Sequence, residues 1–161
     1  MEHTKVRFTM KNGGTFTAEL YPEFAPATVE NFIALVGSGY YSGTTFHRIY
    51  PGFMAQGGEG AETASIKGEF ASNGFAQNTL SHTRGVLSMA RTAVPDSASS
   101  QFFVCYGDAS FLDGDYAAFG KVIEGMETVD AFCDVPRTFN GMDRVPTQPL
   151  EDIVIASAEL V

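Results

Sequence analysis

The stretch FHRIYPGFMAQGGE, residues 46–59, does most to decide the fold class of this chain. Residues 45–57 resemble two short strands, and the pair Pro51-Gly52 breaks them with a turn. If side chains alternate along these strands, Arg48 shares a region with the apolar residues that follow the turn. The stretch therefore predicts a charged side chain set among large apolar ones.

A second stretch, GVLSMARTAVPDSASSQFFVCYGDASFLDGDYAAFGKVIEGME at residues 85–127, has the same character. Its strand-like runs lie at 86–90, 101–105 and 117–122. Gln101 and Phe103 point the same way on one of these strands. A small-ligand pocket is usually lined by many apolar side chains and a few polar ones. The two stretches together therefore predict such a site.

The chain on the N-terminal side of these stretches predicts a hairpin and a helix. Apolar and polar residues alternate on both sides of the turn Asn12-Gly13-Gly14, which is a hairpin signal. Apolar residues then recur at helical spacing from Val29 to Val36. Pro26 suits the start of this helix, and Gly37 suits its end.

The remaining sequence adds a loop, a short helix and a last strand. Residues 58–84 are polar and irregular and predict a long loop or several linked turns. Apolar residues between 126 and 133 mark a second helix that stops before Pro136. The run DIVIASAEL, residues 152–160, predicts a final strand.

These elements add up to about eight strands and two helices, with no regular alternation of strand and helix. The predicted fold class is mainly β: a closed eight-stranded antiparallel β-barrel capped by two α-helices. An α+β sandwich is the alternative. No repeat, linker or low-complexity segment divides residues 1–161, which predicts a single domain.

Composition excludes several classes of partner. The net charge is −9, with 10 basic and 19 acidic residues, so the chain repels phosphate backbones and no nucleic acid is expected. No apolar run approaches the ~20 residues that span a membrane. With no visible signal peptide and two cysteines that are expected to be buried, reduced thiols, the sequence predicts a cytoplasmic protein. Nothing in it indicates an oligomer, so a monomer is expected.

Motifs for metals, cofactors and covalent catalysis are missing from the sequence. The three histidines match no metal-ligand spacing, and neither a phosphate-binding loop nor a dinucleotide fingerprint occurs, so no metal and no cofactor are expected. There is no GxSxG motif. Ser99-Ser100 could imitate a nucleophile, but the sequence offers it no partner base.

Taken singly, the candidate site residues have ordinary structural interpretations. Arg48 alone is more often a surface ion-pair partner, and Gln56 and Gln101 alone are more often structural hydrogen-bonding residues. The large apolar side chains alone are more often core than pocket. Spacing by itself leaves these alternatives open.

Both stretches resemble the signature blocks of the cyclophilins, a family of peptidyl-prolyl cis-trans isomerases. The pattern is FHR-I-x-P-G-F-M-x-Q-G-G, followed by S-M-A, S-Q-F-F and L-D-G-x-x-x-x-F-G-x-V. The resemblance extends from Phe8 to about Phe132. It implies an eight-stranded barrel with two capping helices, and catalysis of rotation about Xaa-Pro peptide bonds in proline-containing peptides and in unfolded or partly folded proteins.

Carried over by motif position, the resemblance also implies a set of site residues. Arg48 takes the place of the catalytic arginine, and Gln56 is expected to hold it or the substrate backbone. The implied substrate-binding residues are Phe53, Met54, Ala90, Arg91, Gln101, Phe103, Phe111, Leu112 and Tyr116.

Three positions depart from the best-known eukaryotic pattern of that family, in which they are asparagine, tryptophan and histidine. Here they are Arg91, Phe111 and Tyr116, as in bacterial-type members. Phenylalanine lacks the indole N–H donor, so the expected partner cyclosporin should bind only weakly. Without a histidine at 116, the chemical step should be nearly independent of pH between 6 and 8.

Two other functions compete with the isomerase. One is a module that docks proline-containing segments without turnover; the presence of Arg48, Gln56 and Phe103 argues against it. The other is a hydrolase built on the serine-rich segment 97–100, which would need a base close to Ser99 or Ser100.

Overall fold

A computed structural model describes residues 3–161, and one antiparallel sheet of eight strands dominates this range. The range contains ten strands, which are β1 (Lys5–Met10), β2 (Thr15–Leu20), β3 (Phe46–Tyr50), β4 (Met54–Gly57), β5 (Val86–Met89), β6 (Phe102–Cys105), β7 (Ala118–Glu124), β8 (Arg137–Thr138), β9 (Gln148–Pro149) and β10 (Ile155–Leu160). Strands β8 and β9 form a separate two-stranded sheet, and the other eight form the large one. The helices are α1 (Pro26–Gly37) and α2 (Met126–Asp130). The prediction of a mainly β fold with two α-helices is confirmed for the described residues.

The large sheet curls on itself but remains open along one seam. Its strand order is β10-β1-β2-β7-β5-β6-β4-β3, so β10 and β3 are its edges. These edges meet through one isolated bridge, between Thr45 and Val154, instead of a continuous ladder. The predicted full closure of the barrel is therefore not confirmed, because the last pair of strands diverges after a single bridge.

The predicted hairpin and first helix are both present. Gly13 has a φ of +95°, which glycine adopts without strain, and the Asn12 side chain accepts a hydrogen bond from the Gly14 N–H at 2.9 Å. Helix α1 has its proline in the first turn, where no N–H is needed. It buries Val29, Phe32 and other residues of one face against the sheet.

The second helix is shorter than predicted. Helix α2 ends at Asp130, and residues Ala131–Asp134 continue as a tighter 3₁₀ turn. Val135 is extended, because a residue that precedes a proline avoids the helical region. The sequence pattern predicts a short helix that stops before Pro136, but it does not distinguish the two helix types.

Phenylalanine rings fill the inside of the curled sheet. Phe102 lies centrally, with its ring centroid 5.4–5.8 Å from those of Phe8, Phe32 and Phe46. All four side chains are fully buried. Burying a side chain of this size contributes about 1.5–3 kcal/mol relative to leaving it in water, so this cluster is a main source of stability.

A second apolar cluster covers part of the outer face of the same sheet. It includes Met54, Phe103 and Cys105, all buried, with Leu112 and Tyr116 packed against it from the following loop. Strands β5 and β6 are consequently buried on both faces, which is why VLSM and FFVC are nearly continuous apolar runs. The candidate site lies at this outer cluster, whereas the phenylalanine core lies inside.

The segment from 58 to 84 is irregular, as predicted, and contains one 3₁₀ turn at Ala71–Asn73 among the described residues. The buried carboxylate of Glu69 anchors it to α1 by accepting hydrogen bonds from the Thr28 N–H and hydroxyl, both at 2.7 Å. No helix of the described part of the chain is both long and apolar enough to cross a bilayer.

Candidate active site

One row of side chains crosses four neighbouring strands on the outer face of the sheet. Arg48 on β3 is paired with Gln56 on β4, Gln56 with Phe103 on β6, and Phe103 with Ser88 on β5. Directly opposed residues of an antiparallel pair project from the same face. Strand register therefore brings together residues 40–55 positions apart in the sequence and places the arginine beside an aromatic wall.

Above this row the surface sinks into a pocket of about 170 Å³. Its floor is apolar, since Met54 and Phe103 are only 2% and 5% exposed. Its lining residues are Arg48, Phe53, Met54, Gln56, Ala90, Arg91, Phe103, Leu112 and Tyr116. The pocket is smaller than the ~300–1,000 Å³ clefts that hold drug-sized ligands, and it suits a single small apolar ring.

All nine lining residues belong to the set that the sequence predicts, and the other two lie next to it. Gln101 accepts a hydrogen bond through Oε1 from the Gln56 side-chain amide at 2.9 Å. Phe111 is 71% exposed and lies on the rim, with its ring centroid 5.6 Å from that of Phe53. The structure therefore brings the predicted residues to one place, while their roles remain predictions.

Arg91 forms a fixed part of the pocket wall. Its guanidinium lies over the Tyr116 ring at 4.6 Å and over the Phe70 ring at 4.8 Å. Nε and Nη2 donate to the Asp115 carbonyl at 3.1 and 2.6 Å, and Nη1 donates to the Thr92 carbonyl at 2.9 Å. Arg91 thus ties β5 to the loop that closes the pocket.

A neighbouring depression of about 230 Å³ shares Gln56, Ala90 and Arg91 with the pocket. The serine-rich segment contributes Ser97 and Ser99 to it. This depression is adjacent to the pocket, so it could accommodate the peptide chain on one side of a ring that occupies the pocket.

Arg48 has a partner that the sequence does not single out. Its Nη2 donates to Asp143 Oδ1 at 2.6 Å, and its Nε donates to Oδ2 at 3.1 Å. The Arg48 guanidinium holds the pKa of the Asp143 carboxyl below its ordinary value, although partial burial opposes this. Asp143 lies 95 positions away in a segment without a recognisable motif, so no local signal could reveal the pair.

Gln56 makes no hydrogen bond to Arg48 within residues 3–161; its side-chain amide donates to Gln101. The expected hold of Gln56 on Arg48 is therefore not seen, and the side chain that hydrogen-bonds to Arg48 is Asp143. Contact of Gln56 with a substrate backbone stays a prediction.

A buried polar chain lies behind Phe103, and sequence reasoning missed it. His82 is fully buried, with its ring parallel to the Phe103 ring at 6.1 Å between centroids. Its Nδ1 lies 2.8 Å from Asp113 Oδ1, and its Nε2 lies 2.8 Å from the Ser88 hydroxyl. These contacts indicate a neutral ring with the proton on Nδ1, which donates to the carboxylate while Nε2 accepts from the serine.

Burial lowers the pKa of His82, and the nearby Asp113 carboxylate only partly opposes this. Partial burial disfavours the charge of Asp113, but hydrogen bonds from Ser81 and His82 outweigh it and hold the pKa of Asp113 below its ordinary value. Although serine, histidine and aspartate are connected in this chain, Ser88 and His82 are both 0% exposed. No substrate reaches the serine, so the arrangement is structural support for the pocket wall.

His47 lies next to Arg48 in sequence but contributes to a different pocket, of about 200 Å³, together with Glu59 and Asp152. Burial lowers the pKa of His47, and the charge of Glu59 partly opposes this. His47 and Arg48 therefore face different regions of the surface.

The fold and the site together give an apolar pocket on the outside of a curled antiparallel sheet, with Arg48 and Arg91 among its lining residues. The family model that matches the chain is described as "Cyclophilin type peptidyl-prolyl cis-trans isomerase/CLD" and covers residues 5–160. The chain belongs to this family and is a peptidyl-prolyl cis-trans isomerase.

Named relatives agree with this assignment. A peptidyl-prolyl cis-trans isomerase of Acinetobacter baylyi is 46% identical over 157 residues, which is 89% of this chain and 80% of the relative. The human peptidyl-prolyl cis-trans isomerase-like 3 is 38% identical over 88% of this chain and 87% of its own length.

Solved structures show the same fold. A Cryptosporidium parvum cyclophilin type peptidyl-prolyl cis-trans isomerase superposes with a TM-score of 0.82 at 31% identity, covering 99% of this chain and 98% of that one. The same protein has a structure in the presence of the dipeptide Ala-Pro, with a TM-score of 0.79.

Proposed function

We propose that the pocket between β3, β4, β5 and β6 binds the proline ring of an Xaa-Pro segment and that Arg48 promotes rotation of the preceding peptide bond. The observation that carries this proposal is the position of Arg48, on the same face of the sheet as Phe103 and on the edge of the pocket. A guanidinium at that position reaches a peptide whose proline ring lies on the apolar floor.

The energy required is modest and needs no covalent chemistry. Rotation about an Xaa-Pro bond crosses a barrier of ~18–20 kcal/mol, because it breaks amide resonance. A turnover of ~1–10³ s⁻¹ corresponds to ~3–7 kcal/mol of stabilisation of the twisted state, relative to exchange that takes tens to hundreds of seconds. A few well-placed interactions supply energies of this size.

Two interactions act on the twisted state more than on the planar one. When the amide twists, its nitrogen becomes pyramidal and its lone pair is no longer delocalised into the carbonyl. A guanidinium N–H can then donate a hydrogen bond to this lone pair, and the prolyl carbonyl is the alternative acceptor. The apolar floor of Met54 and Phe103 replaces water around the planar, more polar amide. Only interactions that are stronger in the twisted state than in the planar state accelerate rotation, and both of these interactions meet that condition.

We propose that Gln56 and Gln101 contact the substrate backbone. The remaining lining residues form the wall around the proline ring. The Gln56–Gln101 hydrogen bond orients both amides, and each keeps further donor or acceptor capacity for a peptide. The structure of the Cryptosporidium parvum relative in the presence of the dipeptide Ala-Pro supports proline-containing peptides as ligands. Unfolded or partly folded proteins, which expose such segments, are the proposed physiological substrates.

Cyclosporin is the proposed weak inhibitor. Phe111 offers an exposed apolar ring on the pocket rim but no N–H donor. The ring therefore contributes apolar contact without a hydrogen bond.

We also propose that the protein acts as a monomer in the reducing cytoplasm. Both cysteines are free, and burial raises the pKa of the Cys105 thiol to about 12, which makes it inert. Sedimentation analysis and cell fractionation test these two points, and a stable dimer or a secreted protein would contradict them.

A hydrolase is the weaker candidate. The Ser100 hydroxyl oxygen accepts a hydrogen bond from the Tyr40 hydroxyl at 3.1 Å, and no histidine hydrogen-bonds to Ser99 or Ser100 in residues 3–161. The segment 97–100 therefore has no base in place.

The test is cis-trans exchange of an Ala-Pro-Phe-type peptide measured by NMR, with wild type and Arg48→Ala compared. We expect fast exchange with wild type, loss of most of it in the variant, and retained peptide binding. Arg84→Ala is the matched control, since Arg84 is also paired with an aspartate but lies on the surface, away from the lining residues. Binding without enhanced exchange in the wild type would instead indicate a docking module.

A further inference from the structure

Arg48 is gripped by two parallel hydrogen bonds to one carboxylate. Nε and Nη2 point to the two oxygens of Asp143, at 3.1 and 2.6 Å. This fork geometry fixes the plane of the guanidinium as well as its distance, which a single contact does not do. The pair is partly sheltered, with side-chain exposures of 33% for Arg48 and 15% for Asp143.

Asp143 is itself tied back to the strand that carries Arg48. The Thr147 hydroxyl donates to Asp143 Oδ2 at 2.6 Å. Thr147 is fully buried, and its carbonyl accepts a hydrogen bond from the Ile49 N–H at 2.8 Å. A chain of hydrogen bonds therefore holds the carboxylate: it runs from Arg48 through Asp143 and Thr147 back to Ile49, the next residue of β3.

The grip leaves part of the guanidinium available. Nη1 of Arg48 makes no hydrogen bond within residues 3–161, whereas Nε and Nη2 are engaged by Asp143. A free arginine side chain samples many rotamers. Asp143 removes this freedom before substrate arrives and leaves the donors of Nη1 for it.

We propose that Asp143 is a positioning residue of the isomerase, which acts by holding the Arg48 guanidinium in the orientation that meets the twisted amide. The inference rests on the proposed role of Arg48. It differs from the interpretation of the pair as a surface ion pair, which would contribute little to stability and nothing to turnover.

The test compares Asp143→Asn with Asp130→Asn in steady-state isomerisation of the same peptide. Asp130 forms an equally two-pronged pair with Arg84, at 3.0 and 2.7 Å, and lies outside the pocket lining. We expect Asp143→Asn to lower kcat about tenfold with KM little changed, because orientation matters most in the twisted state. Asp130→Asn should leave both constants at the wild-type value.

A double-variant cycle shows whether Asp143 acts through Arg48. If it does, Arg48→Ala combined with Asp143→Asn should be within about twofold of Arg48→Ala alone. Asp143→Glu, which keeps the charge, should recover part of the lost kcat. Melting curves of each variant identify any that fail to fold, and Asp143→Glu then serves as the working variant.

The outcomes separate this inference from the proposed function. Wild-type kcat in Asp143→Asn, together with a loss in Arg48→Ala, would overturn the positioning role and leave the function of Arg48 intact. Additive losses in the double variant would also overturn it. Unimpaired exchange in Arg48→Ala would instead contradict the proposed function.

Discussion

His82 ties the stability of the pocket wall to pH. It is fully buried behind Phe103, and burial lowers its pKa. In the unfolded chain a histidine takes up its proton near pH 6.5. The unfolded state therefore binds more protons than the folded state as pH falls below about 6.5, and the free energy of unfolding must decrease there.

We expect this decrease to reach at most about 1.4 kcal/mol per pH unit for the one proton of His82, measured by urea unfolding between pH 5 and 7.5. His82→Gln should show a smaller slope than wild type. His47→Gln is the matched variant, because burial also lowers the pKa of His47 and its contribution has the same sign. An unchanged slope in His82→Gln would contradict the assignment.

The same two histidines explain why isomerisation should be flat across the neutral range. Both pKa values lie below the ordinary value. Between pH 6 and 8, the neutral fraction of each ring is therefore higher than that of a free histidine. The peptide exchange rate should accordingly vary little between pH 6 and 8. A bell-shaped profile in that range would indicate acid-base chemistry and oppose a mechanism based on Arg48.

Phe111 sets the expected response to cyclosporin. The ring is exposed on the rim and offers no hydrogen-bond donor. Phe111→Trp adds an indole N–H, and one hydrogen bond contributes about 0.5–1.5 kcal/mol, or roughly twofold to twelvefold in affinity. Isothermal titration with wild type and variant measures the gain, and equal affinities would contradict the explanation.

Residues within one motif could be assigned to the site from sequence, and residues joined only by the fold could not. Arg48 and Gln56 lie in one short stretch, and Phe103 follows in a second recognisable one. Asp143 and His82 sit in segments where single polar residues have no pattern around them. Their positions depend on strand register and on a distant loop, which no local periodicity encodes.

Because Gly57 has no side chain, β3 and β4 can approach each other closely at the edge of the site. A Cβ at this position would lie 2.7 Å from the Thr45 carbonyl oxygen and 2.9 Å from the Phe46 ring. Since backbone must move to relieve such contacts, Gly57→Ala should reduce the free energy of unfolding by about 1–3 kcal/mol. Urea unfolding measures it.

Gly37 at the end of α1 is the control for that change. A Cβ there would meet nothing within 4 Å. Gly37→Ala should therefore be neutral or stabilise the helix by up to about 1 kcal/mol. Equal destabilisation by the two substitutions would show that the close approach at Gly57 is not the cause.

Among the elements, the long patterned ones were predictable and the shortest ones were not. Strands β1 and β2 and helix α1 have full periodic patterns and lie where the sequence predicts them. Strands β8 and β9 have two residues each, too few for alternation to show. The hairpin that they form was therefore missed, along with the segment between them that carries Asp143.

At the scale of the molecule, the large sheet stays open at the seam between β3 and β10, which one isolated bridge crosses. The Ile155 N–H donates to the Thr44 carbonyl at 2.8 Å, and the Phe46 N–H donates to the Ile153 carbonyl at 2.9 Å. Thr45 and Val154 between them form a non-hydrogen-bonded pair, whose Cα atoms are typically about 4.5 Å apart. This distance permits a disulfide.

A disulfide in Thr45→Cys, Val154→Cys should close the seam and raise the melting temperature. Closing a loop of about 100 residues stabilises by up to about 4–5 kcal/mol, less any strain in the bond. Melting with and without reductant measures the gain, and the reduced form is the internal control. An identical melting temperature in both forms would show that the seam does not limit stability.

The link between Arg48 and Asp143 also affects when full activity can appear during synthesis. The two residues are 95 positions apart, and strand β10, which pairs with β1, follows Asp143 in the chain. A growing chain on the ribosome carries Arg48 early but has no carboxylate to orient it until Asp143 has been added. With Asp143 in the positioning role proposed above, a nascent chain that has not yet reached Asp143 lacks its oriented arginine, so full turnover is expected only after that residue has been added.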